Sequence, residues 1–281
     1  MPVWFWIILG VILVICLLYL LALRCRGSHE RMEEFLDHRY AHRGLHDEMK
    51  VPENSLSAFR LALRYGYGAE LDVHLMKDGN LAVIHDSSLL RMTGADVRVE
   101  DLTLEDMNEY HLADTEEPIP LLNEVLPLFE GKTPLIIELK SEGDNAEALA
   151  QAAVELLDRY DDVTYCIESF DPRCLRWLKK NRPEIIRGQL SQNMFKRRVE
   201  GISWPVKFLL THLLTNFLTV PDFIAYHCYD RRNLSLKIAR GLYGAEEFTW
   251  TVRTRQRMRA AERDGCTVIF ERFHPDQPEL D

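Results

Sequence analysis

The sequence lacks the features that mark several protein classes. Acidic side chains outnumber basic ones, 44 to 34, which gives a net charge of −10, whereas a nucleic-acid-binding protein usually has a basic surface. The six cysteines include no CxxC pair and no metal-binding spacing. There is no internal repeat, and 47% of the residues are hydrophobic. The composition therefore indicates a globular protein with a sizeable core and no nucleic-acid partner.

Charge is also absent from the first 23 residues. Residues 3–23 form an apolar run, and about 20 such residues span the hydrocarbon core of a bilayer as a helix. Trp4 and Trp6 suit an aromatic anchor at the membrane interface. No basic segment precedes the run and no small-x-small cleavage site follows it, which disfavours a cleaved signal peptide. We therefore expect a retained transmembrane helix at residues 1–23.

Arginines follow this helix and predict its orientation. Arg24, Arg26 and Arg31 lie in a charged juxtamembrane stalk, residues 24–39. Basic residues near the end of a membrane helix favour the cytoplasmic side. The expectation is a single-pass protein of the cell membrane with its large C-terminal domain, residues 40–281, in the cytoplasm.

Strand-like and helix-like segments alternate through this domain, which predicts parallel βα units and an α/β fold, the (β/α)8 barrel. A tight turn at residues 77–80 leaves open whether the segments on either side of it are two barrel strands or a hairpin. The weakly periodic residues 86–120 suggest an insertion that caps one end of the barrel. The nine strand-like segments are residues 40–44, 69–75, 81–86, 134–140, 163–169, 185–190, 223–229, 248–252 and 267–271.

Charged side chains interrupt two of the apolar strands. Glu70 and Asp72 are two residues apart, so they share one face of a strand that is otherwise suited to burial. Glu138 and Lys140 share a face near the end of another strand. Buried carboxylates need a neutralising partner, and carboxylates without a nearby cysteine favour a hard cation such as Mg²⁺ or Ca²⁺.

Two histidines end strand-like segments. His42 and His85 could divide the roles of general base and general acid near neutral pH. Arg43 and Lys140 could contact a phosphate. Each feature alone has an ordinary structural interpretation: a hydrogen-bonded histidine, or an ion pair within one strand. Their order and spacing together carry the functional interpretation.

The order of the charged blocks resembles the glycerophosphodiester phosphodiesterase family, from residue 40 to the C-terminus. The matching blocks are His42-Arg43-Gly44, Glu53-Asn54-Ser55, Glu70-Leu71-Asp72-Val73, Lys77-Asp78-Gly79, His85-Asp86, Ile137-Glu138-Leu139-Lys140, Ser169-Phe170-Asp171 and Trp250-Thr251-Val252. Two positions depart from the family pattern. Glu271-Arg272 stands where members usually have Thr-Asp, and Arg253 stands where many members have Asn. Both changes are expected at the rim of the barrel, so they bear on substrate specificity more than on the reaction.

The resemblance implies a barrel with a small insertion and one divalent cation, Mg²⁺ or Ca²⁺. It also implies a role for each matching residue. Glu70, Asp72 and Glu138 would bind the metal, His42 and His85 would be the acid/base pair, Arg43 and Lys140 would contact phosphate, Glu53 would line the site, and Trp250 would pack on the glycerol.

The implied reaction is hydrolysis of a glycerophosphodiester to glycerol 3-phosphate and an alcohol. A glycerol hydroxyl would attack phosphorus to form a cyclic phosphate, which water then opens. His42 is our choice for the base and His85 for the acid. Two other functions remain open: a lysophospholipase D that acts on membrane lysophospholipids, and an inert membrane adaptor that binds lipid head groups.

A second apolar segment covers residues 204–220 and has helical periodicity. Such a helix could pack its apolar stripe against the barrel strands. Alternatively, it could be an interfacial segment that dips towards lipid near the active site.

Overall fold

The computed structural model describes residues 2–27, 29–47, 50–196 and 201–276. The remaining residues of the predicted ranges, 1, 28, 48–49, 197–200 and 277–281, lie outside this description. The strands are β1 (Arg39–Ala41), β2 (Gly68–Leu75), β3 (Leu81–Val83), β4 (Leu135–Leu139), β5 (Tyr165–Ser169), β6 (Arg187–Ser191), β7 (Phe223–His227), β8 (Glu246–Val252) and β9 (Thr267–Phe270).

Within the described residues, all strands except β3 pair in parallel and close into a barrel. Closure follows because β1 pairs with both β2 and β9. The order around the ring is β1-β2-β4-β5-β6-β7-β8-β9. The structure confirms the predicted (β/α)8 barrel.

Two helices precede β1, namely α1 (Val3–Ala22) and α2 (Glu33–Leu36). The helices that follow β1 lie in the connections between strands; they are α3 (Leu56–Arg64), α4 (Leu90–Thr93), α5 (Leu104–Met107), α6 (Leu122–Phe129), α7 (Ala146–Leu157), α8 (Pro172–Asn181), α9 (Trp204–Thr211), α10 (Asn216–Thr219), α11 (Leu234–Tyr243) and α12 (Arg255–Arg263). A short 3₁₀ turn, Val99–Asp101, lies between α4 and α5.

The surplus ninth strand belongs to a hairpin. β3 pairs antiparallel with β2, with Val73 opposite Val83, and it has no place in the closed ring. Of the two possibilities that the turn at residues 77–80 left open, the hairpin is therefore correct.

Alternation along the strands separates the core into two layers. Ala69, Leu71 and Val73 of β2 pack outwards against the helices. The residues between them, Glu70 and Asp72, consequently point into the barrel. The same alternation in β4 sends Leu135, Ile137 and Leu139 outwards and turns Ile136 and Glu138 inwards.

The amino-terminal end of the barrel interior is apolar. Phe35 of α2 packs there with Tyr40 and other buried side chains. The hydroxyl of Tyr40 donates a hydrogen bond to the carbonyl of Phe35 over 2.9 Å. Part of the segment predicted as a juxtamembrane stalk thus closes this end of the barrel, and polar chemistry is confined to the carboxyl end.

The insertion predicted at residues 86–120 contains α4, the 3₁₀ turn and α5. It packs with the β2–β3 hairpin around a small hydrophobic core, which weak periodicity did not reveal. The larger members of this core include Ile84, Leu89, Met92, Met107, Leu112 and Ile119.

One helix in the described part of the chain, α1, is long and apolar enough to cross a membrane. None of its side chains is buried in the protein. Just beyond its end, Leu23 is fully buried beside Leu213 and Tyr226. The end of α1 is therefore packed against the barrel.

The apolar segment at residues 204–220 is not the continuous helix that its periodicity predicted. α9 ends at Thr211 and α10 begins only at Asn216. Leu213, between them, has a left-handed backbone with a φ of 56°. Only part of the predicted apolar face is buried, at Leu210 and Leu213.

Gly188 of β6 is expected to tolerate no side chain. A β-carbon at this position would lie 2.1 Å from the ring of Phe223 on β7. That ring is fully buried and stacks on Phe248 at a centroid distance of 4.2 Å. We expect Gly188→Ala to lower the free energy of unfolding by about 1–3 kcal/mol, measured by denaturant unfolding of the full chain in detergent.

Gly241 on α11 provides the matched control, because a β-carbon added there would meet no atom within 4 Å. Gly241→Ala should leave the free energy of unfolding unchanged or raise it by up to about 1 kcal/mol. Equal losses in the two variants would contradict the steric argument.

Candidate active site

Three buried carboxylates meet at the carboxyl end of the barrel. Glu70 and Asp72 belong to β2, and Glu138 to β4, where it lies beside Asp72 in the strand register. One oxygen from each of the three carboxylates lies within 4.8 Å of the others. The structure therefore brings the predicted metal ligands together.

The electrostatics of this cluster favour a cation. Burial raises the pKa of Glu70 well above its usual value, and the neighbouring Asp72 and Glu138 add to the increase. Oε1 of Glu70 is buried and has no hydrogen-bond partner among the described residues. An all-oxygen set of this kind fits Mg²⁺ or Ca²⁺.

Two basic side chains partly neutralise the carboxylates. Nζ of Lys140 lies 3.1 Å from Asp72 Oδ1 and 2.8 Å from Glu138 Oε1. Nε of Arg43 lies 3.2 Å from Asp72 Oδ2, and its Nη1 lies 2.8 Å from Glu53 Oε1. Burial opposes ionisation of Asp72, but Lys140 and other nearby cations hold its pKa well below the usual range. Both predicted phosphate contacts thus border the carboxylate cluster.

His42 is the first residue after β1, because the strand ends at Ala41, whereas the predicted strand-like segment, residues 40–44, contained it. Its Nδ1 lies 2.7 Å from Oε2 of Glu271, so that nitrogen donates a hydrogen bond to the carboxylate. Nε2 then carries the lone pair, and it lies 3.9 Å from Oε2 of Glu70. Burial lowers the pKa of His42 to about 4, and the neighbouring Arg43 contributes to the decrease.

His85 has a similar arrangement on the other side of β2. Its Nδ1 lies 2.6 Å from Oδ1 of Asp86, and Arg91 holds Asp86 in turn. Nη2 of Arg91 also lies 2.7 Å from Glu53 Oε1, so Glu53 bridges two arginines. The side chain of His85 is 30% exposed, compared with 12% for His42. The second predicted histidine is therefore the more accessible to solvent.

Trp250, the predicted contact for the glycerol, lies near the end of β8. Its indole nitrogen donates a hydrogen bond to the carbonyl of Ala225 over 3.0 Å. The ring makes edge contacts with Phe170 and His227, at centroid distances of 5.5 and 5.2 Å. It is only partly buried, so part of the indole remains available for a ligand.

The sequence reasoning did not identify several supporting residues. Glu271 was treated only as a departure from a family pattern, although it binds His42 and is itself held by Arg253. Glu168 was missed inside the barrel, beside Glu138. Both are charged residues at the carboxyl end of apolar strands, which is the signal that identified Glu138 and could have identified them too. Asn54 was quoted only within a motif, yet its Nδ2 donates a hydrogen bond to Asp72 over 2.9 Å.

Comparisons with known proteins agree with this geometry. The model of the glycerophosphoryl diester phosphodiesterase family matches residues 42–272. A glycerophosphodiester phosphodiesterase of Caldanaerobacter subterraneus subsp. tengcongensis is 37% identical over 161 residues, which cover 54% of this chain and 65% of that protein. Lysophospholipase D GDPD1 of Rattus norvegicus is 34% identical over 146 residues, 47% of this chain and 45% of that protein. The chain thus matches less than two thirds of the length of either relative.

A solved structure extends the similarity over most of both chains. It is a phosphodiesterase of Oleispira antarctica in complex with its product, sn-glycerol 3-phosphate. The two proteins are 25% identical with a TM-score of 0.66, and the match covers 84% of this chain and 93% of the other.

Proposed function

Because this chain belongs to the glycerophosphoryl diester phosphodiesterase family, we propose that it hydrolyses glycerophosphodiesters to glycerol 3-phosphate and an alcohol. The observation that carries the proposal is the buried cluster of Glu70, Asp72 and Glu138, with Nε2 of His42 at its edge. Hydrolysis of a phosphodiester needs positive charge near the phosphate oxygens, a base and an acid. Arg43 and Lys140 at the edge of the cluster would supply the charge, His42 the base and His85 the acid.

Glu70, Asp72 and Glu138 would hold the divalent cation. When bound, the cation would lower the pKa of a glycerol hydroxyl and offset the charge of the phosphate. Arg43 and Lys140 carry further positive charge at the same edge of the cluster. We assign them to the phosphate oxygens.

His42 is the proposed general base. Its lowered pKa keeps the imidazole neutral near pH 7, and the hydrogen bond to Glu271 leaves the lone pair on Nε2. That nitrogen would take the proton of the glycerol hydroxyl as the hydroxyl attacks phosphorus. His85 would then protonate the leaving alcohol, and water would open the cyclic phosphate in a second step.

We further propose that α1 anchors the protein in the cell membrane, with the barrel in the cytoplasm. The length and apolar character of α1 support the anchor. Arg24, Arg26 and Arg31, which follow the helix, support the orientation.

A lysophospholipid is the second candidate substrate. It keeps a free hydroxyl next to the phosphodiester, so the same attack on phosphorus is possible. Similarity to a lysophospholipase D favours this candidate, as does the proposed anchor, because a soluble diester does not require attachment to a membrane. An inert adaptor is the weaker alternative, since the chain retains the predicted metal ligands and both histidines.

Substrate preference tests the proposal. The full chain in detergent would be given glycerophosphocholine, glycerophosphoethanolamine, glycerophosphoglycerol or lysophosphatidylcholine, with Mg²⁺, Ca²⁺ or EDTA. We expect release of glycerol 3-phosphate or lysophosphatidic acid that stops in EDTA, and the ratio of kcat/KM values then separates the two substrate classes. Failure of a folded, metal-binding protein to turn over any of them would favour the adaptor instead.

A further inference from the structure

We propose that the exposed apolar surface formed by α9, α10 and Phe195, which follows β6, lies in the membrane interface beside α1 and holds the mouth of the barrel against lipid. This inference rests on the proposed function and deepens it, because it makes an acyl-bearing lipid at a bilayer surface the substrate class. The surface side chains are Phe195, Trp204, Val206, Phe208, Leu209 and Phe217.

The orientation of α9 is unusual for a barrel helix. Such a helix normally turns its apolar side towards the strands, but in α9 only Leu210 and Thr211 are buried. Trp204 is 67% exposed, and its ring stacks on Phe208 at a centroid distance of 5.8 Å. Phe195 lies 6.1 Å from the same indole. A contiguous aromatic cluster on the surface is typical of an interaction site, and aromatic rings favour the membrane interface.

α1 indicates what covers this surface. The hydroxyl of Tyr243 donates a hydrogen bond to the carbonyl of Leu20 over 2.6 Å and fixes the end of α1 to α11. Leu23, one turn further, is buried against Leu213, which connects α9 to α10. A bilayer crossed by α1 would therefore end next to the α9–α10 surface.

The α9 part of this surface borders the carboxyl end of the barrel, whereas the end of α10 is bound by Arg187, the first residue of β6, at the amino end. The hydroxyl of Ser191, the last residue of β6, donates a hydrogen bond to the carbonyl of Leu210 over 2.7 Å. The hydroxyl of Tyr226, near the end of β7, donates one to the carbonyl of Thr211 over 2.9 Å. Because all barrel strands are parallel, this is the end at which Glu138 and the histidines lie. Lipid at α9 would thus be close to the active site.

Charge around α10 complements an anionic bilayer. Residues 204–220 contain no acidic side chain. Lys179 donates hydrogen bonds to two carbonyls of α10, over 3.2 and 3.0 Å. Burial lowers the pKa of Lys179, as do the nearby Arg187, Arg24 and Arg176. Arg187 itself is buried and bonded to the carbonyls of Thr219 and Val220, but Arg24 and Arg176 are exposed. Exposed basic side chains beside a membrane helix attract anionic phospholipid head groups.

Quenching of Trp204 fluorescence tests the insertion directly. The full chain carrying Trp4→Phe and Trp6→Phe, which remove the tryptophans of α1, would be reconstituted into vesicles with and without brominated phosphatidylcholine. We expect the bromolipid to quench tryptophan emission, and we expect the quenching to be lost when Trp204→Phe is added. Quenching that Trp204→Phe leaves unchanged would overturn the proposal.

Kinetics on two substrates test whether this surface aids access of a lipid substrate to the active site. In the same vesicles, Trp204→Ser with Phe208→Ser should raise the KM for lysophosphatidylcholine at least about tenfold, because two membrane-buried rings are lost. Turnover of water-soluble glycerophosphocholine should be unchanged. Equal losses on both substrates, or no change in the KM for the lipid, would overturn the role of this surface in substrate access.

Leu104→Ser is the matched control. Leu104 is 46% exposed on α5, in the insertion that follows β2 and β3, and β2 stands opposite β7 in the ring. This variant should leave the KM for both substrates unchanged. If bromolipid quenching is present but no variant hydrolyses either substrate, the docking surface is supported and the proposed function fails.

Discussion

Replacing Glu70 with glutamine is expected to lower kcat/KM roughly 10³-fold or more, since a catalytic cation contributes several kcal/mol and each ~1.4 kcal/mol is a factor of ten in rate. The isosteric change removes one negative charge from the carboxylate cluster and keeps its shape. Binding of Mg²⁺ or Ca²⁺ should weaken with activity. The measurements are steady-state kinetics over a metal titration and the metal-induced rise in Tm.

In the absence of metal, Glu70→Gln should not lower the Tm. Glu70 is buried beside Asp72 and Glu138, and this crowding raises its pKa, so an uncharged side chain relieves repulsion. The Tm of metal-free Glu70→Gln should therefore equal or exceed that of the wild type. A large loss of Tm without metal would instead mean that Glu70 mainly supports the fold.

Glu168→Gln is the control for this change. Glu168 also points into the barrel, and burial, Glu138 and Asp72 raise its pKa well above the usual value. These surroundings favour the uncharged, protonated form of Glu168, and glutamine resembles that form. Activity should change by less than about tenfold, below the effect expected of a metal ligand. Equal losses for Glu70→Gln and Glu168→Gln would contradict the assignment of Glu70.

His42→Ala is expected to reduce kcat by about 10²–10⁴-fold, the usual contribution of a general base. Glu271→Gln should give a smaller loss, because the imidazole remains but its proton on Nδ1 has a weaker acceptor. In the His42→Ala background, Glu271→Gln should have no further effect on kcat. An independent loss in that background would show that Glu271 does not act through His42.

The pH profile separates this role of Glu271 from a structural one. His42 must be neutral to act as a base, so activity should be present above its pKa and lost as the pH falls through about 4. The carboxylate of Glu271 favours the protonated form of His42. Glu271→Gln should therefore shift the acidic limb of kcat/KM to lower pH. His38→Ala, at the other end of β1, is the histidine control and should shift neither kcat nor the profile.

The pattern of residues along the chain was enough to predict the barrel and the place of the buried carboxylates that we assign to the metal. Apolar residues alternate with Glu70 and Asp72 along one strand, and backbone geometry sends alternate residues to opposite faces. When the outer face is covered by helices, the carboxylates must point inwards. His42 and Glu138 come at the carboxyl ends of their strands, and parallel strands bring those ends together. These conclusions needed no contact between distant residues.

Which distant residues meet became evident only in three dimensions. Glu271 lies 229 positions from His42 along the chain, and the two become neighbours because β1 pairs with β9 when the barrel closes. The exposure of Trp204 also depends on tertiary packing, because it is set by which side of α9 packs against the barrel. Periodicity in the sequence identifies an apolar face but does not show what covers it. Local pattern fixes the direction of a side chain, whereas closure of the barrel and packing of its helices choose its neighbours.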